Sequence, residues 1–116
     1  MIPDEARDIV SMLVAKSGQG RLAWERPSFA LWEDVFRVIL PEYTIQISRP
    51  PGSVPKSQAL IELEVIDSRS AVVFSFETSP EDSDYETMTS LLELARHTGN
   101  KVDKVLADLR GVLAAV

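Results

Sequence analysis

Four short runs decide the fold of this chain: VFRVIL (35–40), YTIQISR (43–49), ALIELEVID (59–67) and AVVFSFE (71–77). Each is rich in β-branched and aromatic residues, and its apolar positions recur with a period of about two, as in a strand that buries one face. The connections are short except for RPPGSVPK (49–56), whose three prolines exclude a central strand. The block therefore predicts a four-stranded antiparallel meander.

Helical patterns flank this block on both sides. Ala6, Ile9, Val10 and Leu13 recur at the spacing of one helix face, and Gly18 is expected to end that N-terminal helix. After the strands come two apolar stripes, with a break predicted at Gly99. The stripes consist of Tyr85, Met88, Leu91, Leu92 and Ala95, and then of Val102, Val105, Leu106, Leu109, Val112, Leu113 and Val116. We therefore expect an α+β fold, a single domain over residues 1–116, with a C-terminal helical hairpin packed on one face of the sheet.

The two faces of the predicted sheet differ in composition. In the fourth run, Val72, Phe74 and Phe76 are expected to face the helices. The outer face mixes apolar and acidic residues, and such a mixed face can serve self-association or a protein partner if its apolar members adjoin. The candidates on this face are Ile39, Leu60, Glu62, Glu64, Ile66 and Val73.

Two tryptophans lie in the irregular segment before the first strand. Trp24 is expected in the core. Trp32 is either a core residue or a partner-binding residue, since tryptophan is enriched at interaction hot spots. Trp32 therefore joins the outer-face residues as a partner-binding candidate.

The composition limits the classes of partner. The chain has 116 residues with 18 acidic and 12 basic side chains, a net charge of −6, and five of the acids fall within residues 77–86. Nucleic acid and membrane surfaces are negative, so neither is expected as a partner. There is no cysteine, no signal-peptide pattern and no apolar run of membrane-spanning length. We therefore expect a cytoplasmic protein.

No set of residues has the spacing of a catalytic, cofactor-binding or metal site. His97 is the only histidine, and its place near the end of a predicted helix favours capping over general-base catalysis. Glu62 and Glu64 share a strand face and indicate a solvated surface rather than paired catalytic acids. The acidic residues 81–86 lack the spacing and glycine of an EF-hand loop. The sequence therefore predicts a protein that is not an enzyme and has no cofactor.

Two stretches of the chain carry a family resemblance. The first contains Gly20, Arg21, Leu22 and Trp24, and the second contains Leu91, Leu94, Ala95, Arg96, Val102, Leu106 and Leu109. Together they resemble a group of small stand-alone bacterial α+β domains of unassigned function. The resemblance implies a helix, a sheet and a closing helix pair, and it implies no catalytic residue. The long loop 49–56 departs from the shorter connection expected in that group.

Three functional hypotheses follow from the sequence. The leading one is a non-enzymatic protein-interaction domain, in its simplest form a homodimer. The alternative is an immunity or antitoxin-like inhibitor whose acidic residues 77–86 bind a basic protein target. The third, with the least support, is a small-molecule-binding protein whose pocket is lined by Trp24 or Trp32 together with His97.

Overall fold

The computed structural model describes residues 1–28, 30, 34–51, 55 and 58–116, apart from the side chains of residues 102 and 103. A short 3-10 turn, Asp4–Ala6, leads into the first α-helix. The elements that follow are α1 (Arg7–Gly18), β1 (Val35–Ile39), β2 (Tyr43–Ser48), β3 (Ile61–Asp67), β4 (Val72–Thr78) and α2 (Tyr85–Ala114). The strands form one antiparallel sheet in the order β1-β2-β3-β4. The predicted α+β fold and meander are confirmed.

The core lies between the inner face of the sheet and the two helices. Every strand contributes buried apolar side chains to it, and so does one stripe of each helix. Its buried members include Val10 and Leu13 from α1, Phe36, Val38, Ile45, Ile47, Ile61, Leu63 and Phe76 from the sheet, and Met88, Leu91, Leu92 and Ala95 from α2. Trp24 is 1% exposed in this core, and its Nε1–H donates to Ser17 Oγ at 2.9 Å. The predicted core position of Trp24 is confirmed.

A bulge corrects the prediction for the start of β4. Val65 pairs with Phe74 whereas Ile66 pairs with Val72, so β4 contains one residue more than β3 over this interval. An inserted residue ends simple alternation, because two residues of one strand then face a single residue of the other. The expectation that Val72 faces the core is wrong, and its side chain is 53% exposed.

The C-terminal third forms one continuous helix of 30 residues, so the predicted hairpin is wrong. The reason lies at Gly99, which is buried in the middle of α2. A Cβ atom at Gly99 would stand 2.6 Å from Cδ1 and 2.9 Å from Cε1 of Phe36. A glycine inside a helix costs only about 1 kcal/mol relative to alanine. Gly99 therefore permits a close helix–sheet crossing and does not end the helix.

Because α2 does not fold back, its C-terminal half extends past β1, an edge strand of the sheet. Every described side chain from 100 to 116 is exposed. The molecule measures 54 × 35 × 27 Å, and its radius of gyration of 15.3 Å exceeds the roughly 13 Å of a compact chain of this length. Neither helix of the described residues combines the length and the apolarity that crossing a membrane requires.

An ionic cluster holds α2 at this edge of the sheet. The Asp34 carboxylate, 4% exposed, accepts hydrogen bonds from Arg49 at 2.9 Å and from Arg96 of α2 at 2.7 Å. Burial raises the pKa of Asp34, but the hydrogen bonds from Arg96 and Arg49 outweigh burial, so the pKa lies below its ordinary value. The cluster fixes the point beyond which α2 leaves the sheet.

Candidate functional site

The C-terminal half of α2 carries an exposed apolar face. We call its residues Val105, Leu106, Leu109, Val112 and Leu113 the helix stripe, and each of them is between 47% and 70% exposed. Val105, Leu109 and Val112 are spaced by four and then three positions, and Met88, Leu92 and Ala95 repeat the same spacing in the buried half of the helix. The helix stripe therefore has the pattern of a core-facing surface that the described residues of this chain do not cover.

A second uncovered apolar surface lies beside α1. It is a groove of about 460 Å³ between α1 and one end of the inner sheet face. We call it the α1 groove, and its lining is apolar apart from Lys16: Ile9, Met12, Leu13, Lys16, Leu22, Leu40, Tyr43, Ile45 and Val65. Ile9, Met12 and Tyr43 are 48%, 54% and 47% exposed. A smaller cavity of about 210 Å³ shares Ile9 and Val65 with the groove and continues to Phe74 and Phe76. The uncovered strip thus runs from β2 to β4.

The α1 helix separates the groove from α2. Ile9, Met12 and Lys16 follow at intervals of three and four, so they share one flank of α1. Arg7 projects from the opposite flank and binds the Asp84 carboxylate at the start of α2, with its Nη1 3.0 Å from Oδ1. Since α2 lies on the far side of α1, it leaves the groove open.

The groove contradicts the prediction for Ile9, and no prediction from the sequence pointed to a groove at this place. Ile9 was expected in the buried stripe of α1 but is half exposed. The available signal was the width of the apolar face, because Met12 and Ile9 extend it well beyond Val10 and Leu13. An apolar face of that width is buried only if another element packs on each side of α1. The sequence of α1 does not show how many helices are available to do so.

The candidates on the outer sheet face fall into two separate groups. Ile39 stands opposite Thr44, and Thr44 opposite Ile66, so a partly apolar row crosses three strands beside the bulge that contains Val73. Ile39 and Val73 are 61% and 53% exposed. Leu60, 44% exposed, precedes Ile66 by six positions, roughly 20 Å along an extended strand. The structure does not join Leu60 to the other apolar candidates.

Acidic residues occupy the space between these two groups. Glu62 and Glu64 lie on β3, and Glu62 pairs across the strands with Glu77. Burial, followed by the charges of Glu64 and Glu77, raises the pKa of Glu62. No cluster of three histidine, cysteine or acidic residues suited to a metal ion occurs in the described part of the chain. Trp32, the remaining candidate, lies outside the described residues, so its role stays a prediction.

The acidic segment 77–86 is partly used inside the molecule. Asp82 binds the α-amino group of Met1 at 2.7 Å, and Asp84 accepts the backbone N–H of Ile2 at 3.0 Å as well as the Arg7 side chain. The hydrogen bonds from Arg7, and then that from Ile2, lower the pKa of Asp84. Two of the five acids therefore stabilise the chain's own fold, while Glu77, Glu81 and Glu86 are exposed.

His97 is exposed in the middle of α2, so the predicted capping role at a helix end is wrong. It lines a polar depression of about 590 Å³ together with Arg96, Lys101 and Lys104. Trp24 is fully buried and offers no open surface to a ligand. The structure therefore does not place Trp24 and His97 together at one open site.

Comparisons of the chain with protein-family models, with curated proteins and with solved structures find no match. The resemblance to small bacterial domains stays a prediction. Within the described residues, the chain is an α+β protein with a projecting helix and two uncovered apolar surfaces.

Proposed function

We propose that this chain is a non-enzymatic protein-interaction domain that forms a homodimer through the helix stripe. The observation that carries the proposal is the exposure of five apolar side chains at core spacing on one face of α2. An apolar helix face gains about 25 cal/mol for each Å² that it removes from water. A stripe of this kind is the usual means by which helices associate.

The way in which α2 is built also supports association. An isolated helix of about 15 residues is marginally stable in water. In this chain the first half of α2 is anchored by Leu91 and Leu92, both 0% exposed, and the second half continues from it. The anchored half thus presents the helix stripe already helical, which lowers the entropic cost of binding.

The test is the mass of the protein in solution as a function of concentration. Sedimentation velocity should show a dimer whose population grows with concentration, and Leu109→Glu should weaken it more than tenfold. Ala107→Glu is the matched control, because it adds the same charge to an exposed position of the same helix outside the helix stripe. A wild-type protein that stays monomeric at every concentration contradicts the proposal.

The outer sheet face is the competing surface for the same function. Val73→Glu places a charge beside the exposed apolar row that Ile39 and Ile66 form across β1, β2 and β3. If association uses the helix stripe, Val73→Glu leaves the dimer unchanged. If Val73→Glu dissociates it and Leu109→Glu does not, the outer face is the interface instead.

An immunity or antitoxin-like inhibitor of a basic protein is the alternative function. Its support is the charge that remains exposed at Glu77, Glu81 and Glu86. Capture of a basic protein that is lost after Glu81→Lys and at high salt would favour it. The small-molecule hypothesis and the cytoplasmic location stay predictions from the sequence.

A further inference from the structure

We infer that the surface receiving the helix stripe is the α1 groove of a second copy, so that each copy inserts its projecting helix beside the partner's α1. This inference rests on the proposed homodimer and names its two contact surfaces. It makes the interface a reciprocal exchange of C-terminal helices. The alternative form of the dimer, in which the two helix stripes pair with each other, is an outcome of the test.

Both surfaces are uncovered and apolar, and each has the shape that the other requires. The helix stripe is convex and lies on a helix. The α1 groove is concave, is bounded on one side by α1 and has the inner sheet face as its floor. A helix placed there would lie beside α1 on the flank opposite to α2. The sheet would then be covered by three adjacent helices, as in other layered α+β folds.

The projecting segment and α1 have similar lengths. Residues 100–114 form a helical segment about 22 Å long, and α1, with 12 residues, is about 18 Å long. The projecting segment therefore matches the helix against which it would pack. Pairing two helix stripes with each other would involve only about two heptads per chain, fewer than the three or four heptads expected of a coiled coil.

The net charges of the two parts of the chain differ in sign. Residues 100–116 contain three basic and two acidic residues, a net charge of +1, which leaves −7 on residues 1–99 of a chain whose total is −6. Lys16 lines the groove itself, whereas the acids lie around it: Glu5 lines the smaller cavity that continues the groove, and exposed Glu42 lies between Leu40 and Tyr43. Pairing two projecting segments brings two net positive charges together, whereas docking on the partner brings the segment to a body of net negative charge.

The chain's own groove is out of reach of its own projecting segment. Residues 85–114 are one helix, and α1 stands between α2 and the groove. To reach its own groove, the projecting segment would have to break the helix near Gly99 and cross over α1. A second copy supplies a groove to the segment without any break, and twofold symmetry then provides the second, identical contact.

Dissociation of the dimer is tested first with paired charge substitutions. Met12→Glu in the groove and Leu109→Glu in the helix stripe should each raise the dimer dissociation constant more than tenfold. Ser11→Glu and Ala107→Glu are the matched controls, since each adds the same charge at an exposed neighbouring position of the same helix. Circular dichroism and thermal unfolding of each variant as a monomer show that the fold is retained.

Cysteine pairing then identifies which surfaces touch, because the native chain contains no cysteine. A mixture of the Met12→Cys and Leu109→Cys proteins should give a mixed disulfide dimer, with Tyr43→Cys and Leu106→Cys as a second pair. Disulfides require Cα atoms about 4.4–6.8 Å apart, so formation reports direct contact. Each protein alone should cross-link much less than the mixture.

The outcomes separate the inference from the proposed homodimer. One outcome is that the dimer forms, that Leu109→Cys cross-links efficiently by itself and that Met12→Glu has no effect on the dimer. This outcome would show that the helix stripes pair with each other. The groove inference then fails while the homodimer stands. If wild-type protein is a monomer at every concentration, both fail. If Met12→Cys and Leu109→Cys combined in one chain cross-link within a monomer, the segment occupies its own groove and the inference also fails.

Discussion

The two halves of α2 have the same pattern and opposite surroundings. Residues 85–99 place Met88, Leu91 and Leu92 in the core with no exposure, whereas residues 100–114 leave Leu109 half exposed. Both halves repeat apolar residues at intervals of three and four. Periodicity thus marks a face that is suited to burial, and the sheet beneath the first half supplies the burial.

The largest effect is expected from truncating the same side chain in each half. Leu92→Ala should lower the free energy of unfolding by about 3 kcal/mol, because it removes buried methyl groups and leaves a cavity. Leu109→Ala should change the monomer by less than about 0.5 kcal/mol, as at an ordinary surface position. Urea unfolding at low protein concentration measures both values. Equal losses would show that the two halves have the same surroundings.

The same pair also tests association. The Leu109→Ala effect should grow when unfolding is repeated at higher protein concentration, because a dimer stabilises the folded state by mass action. The Leu92→Ala effect should remain large at every concentration. An effect of Leu109→Ala that does not depend on concentration would argue against a dimer interface at the helix stripe.

The ionic cluster at the junction of the halves is expected to have the next largest effect. Asp34→Asn leaves Arg49 and Arg96 without their shared carboxylate and should cost about 1.5–3 kcal/mol near neutral pH, the usual contribution of hydrogen bonds to a charged group. Since the fold lowers the pKa of Asp34, its contribution is complete above the unfolded pKa of about 3.9 and is lost as pH falls through the folded value. Wild type and variant should therefore converge in acid. Unfolding curves at several pH values check this result.

Glu25→Gln is the control for that prediction. Glu25 pairs with Arg37 at 2.8 Å, but its side chain is 44% exposed. Ion pairs at exposed positions contribute about 0–1 kcal/mol because water screens them. A loss at Glu25 as large as that at Asp34 would show that burial does not set the strength of these pairs.

A smaller effect is expected at Gly99, where α2 crosses β1. Gly99→Ala should destabilise the protein by about 1 kcal/mol, because overpacking against Phe36 costs about 1–3 kcal/mol and alanine returns about 1 kcal/mol of helix propensity. The loss caused by Gly99→Ala should be smaller in a Phe36→Leu background than in the wild type, because the smaller side chain makes room for the Cβ; Phe36→Leu by itself destabilises the core. A stabilised Gly99→Ala variant would contradict the close crossing.

The smallest effect is expected at Gly111, the corresponding glycine of the exposed half. A Cβ there would meet no atom within 4 Å. Gly111→Ala should therefore gain up to about 1 kcal/mol of local helix stability without touching the core. Circular dichroism should show increased helicity, and amide hydrogen exchange of residues 100–114 should slow. Faster exchange there would mean that the segment is not helical in solution.

Much of the fold could be predicted from the sequence because its signals are local. The alternation in residues 61–67 and the apolar spacing of residues 85–95 each indicate an element on their own. The errors occur where a distant residue decides. The sequence pattern predicts a helix end at Gly99, but the structure places Gly99 against Phe36 inside a continuous helix. The pattern also predicts that Val72 lies in the core, but the bulge opposite Val65 and Ile66 turns it outward.

The candidate site was predictable only in part. The helix stripe was visible as an apolar pattern, but it was expected to be buried in a hairpin. The sequence signal for the α1 groove is limited to the wide apolar face of α1, because the rest of the lining comes from residues near the strand ends and from the sheet interior. Which part of an apolar surface stays uncovered depends on the number of helices that reach the sheet.

The four strands, the apolar face of each helix and the acidic character of the chain follow from the sequence, since all three depend on near neighbours or on composition. Long-range packing was needed to make α2 continuous, to bring Asp82 and Asp84 to Met1 and Arg7, and to leave two apolar surfaces of the described residues open. Steric room and uncovered area depend on residues far apart in sequence. A pattern shows which face is suited to burial, and packing decides whether that face is buried.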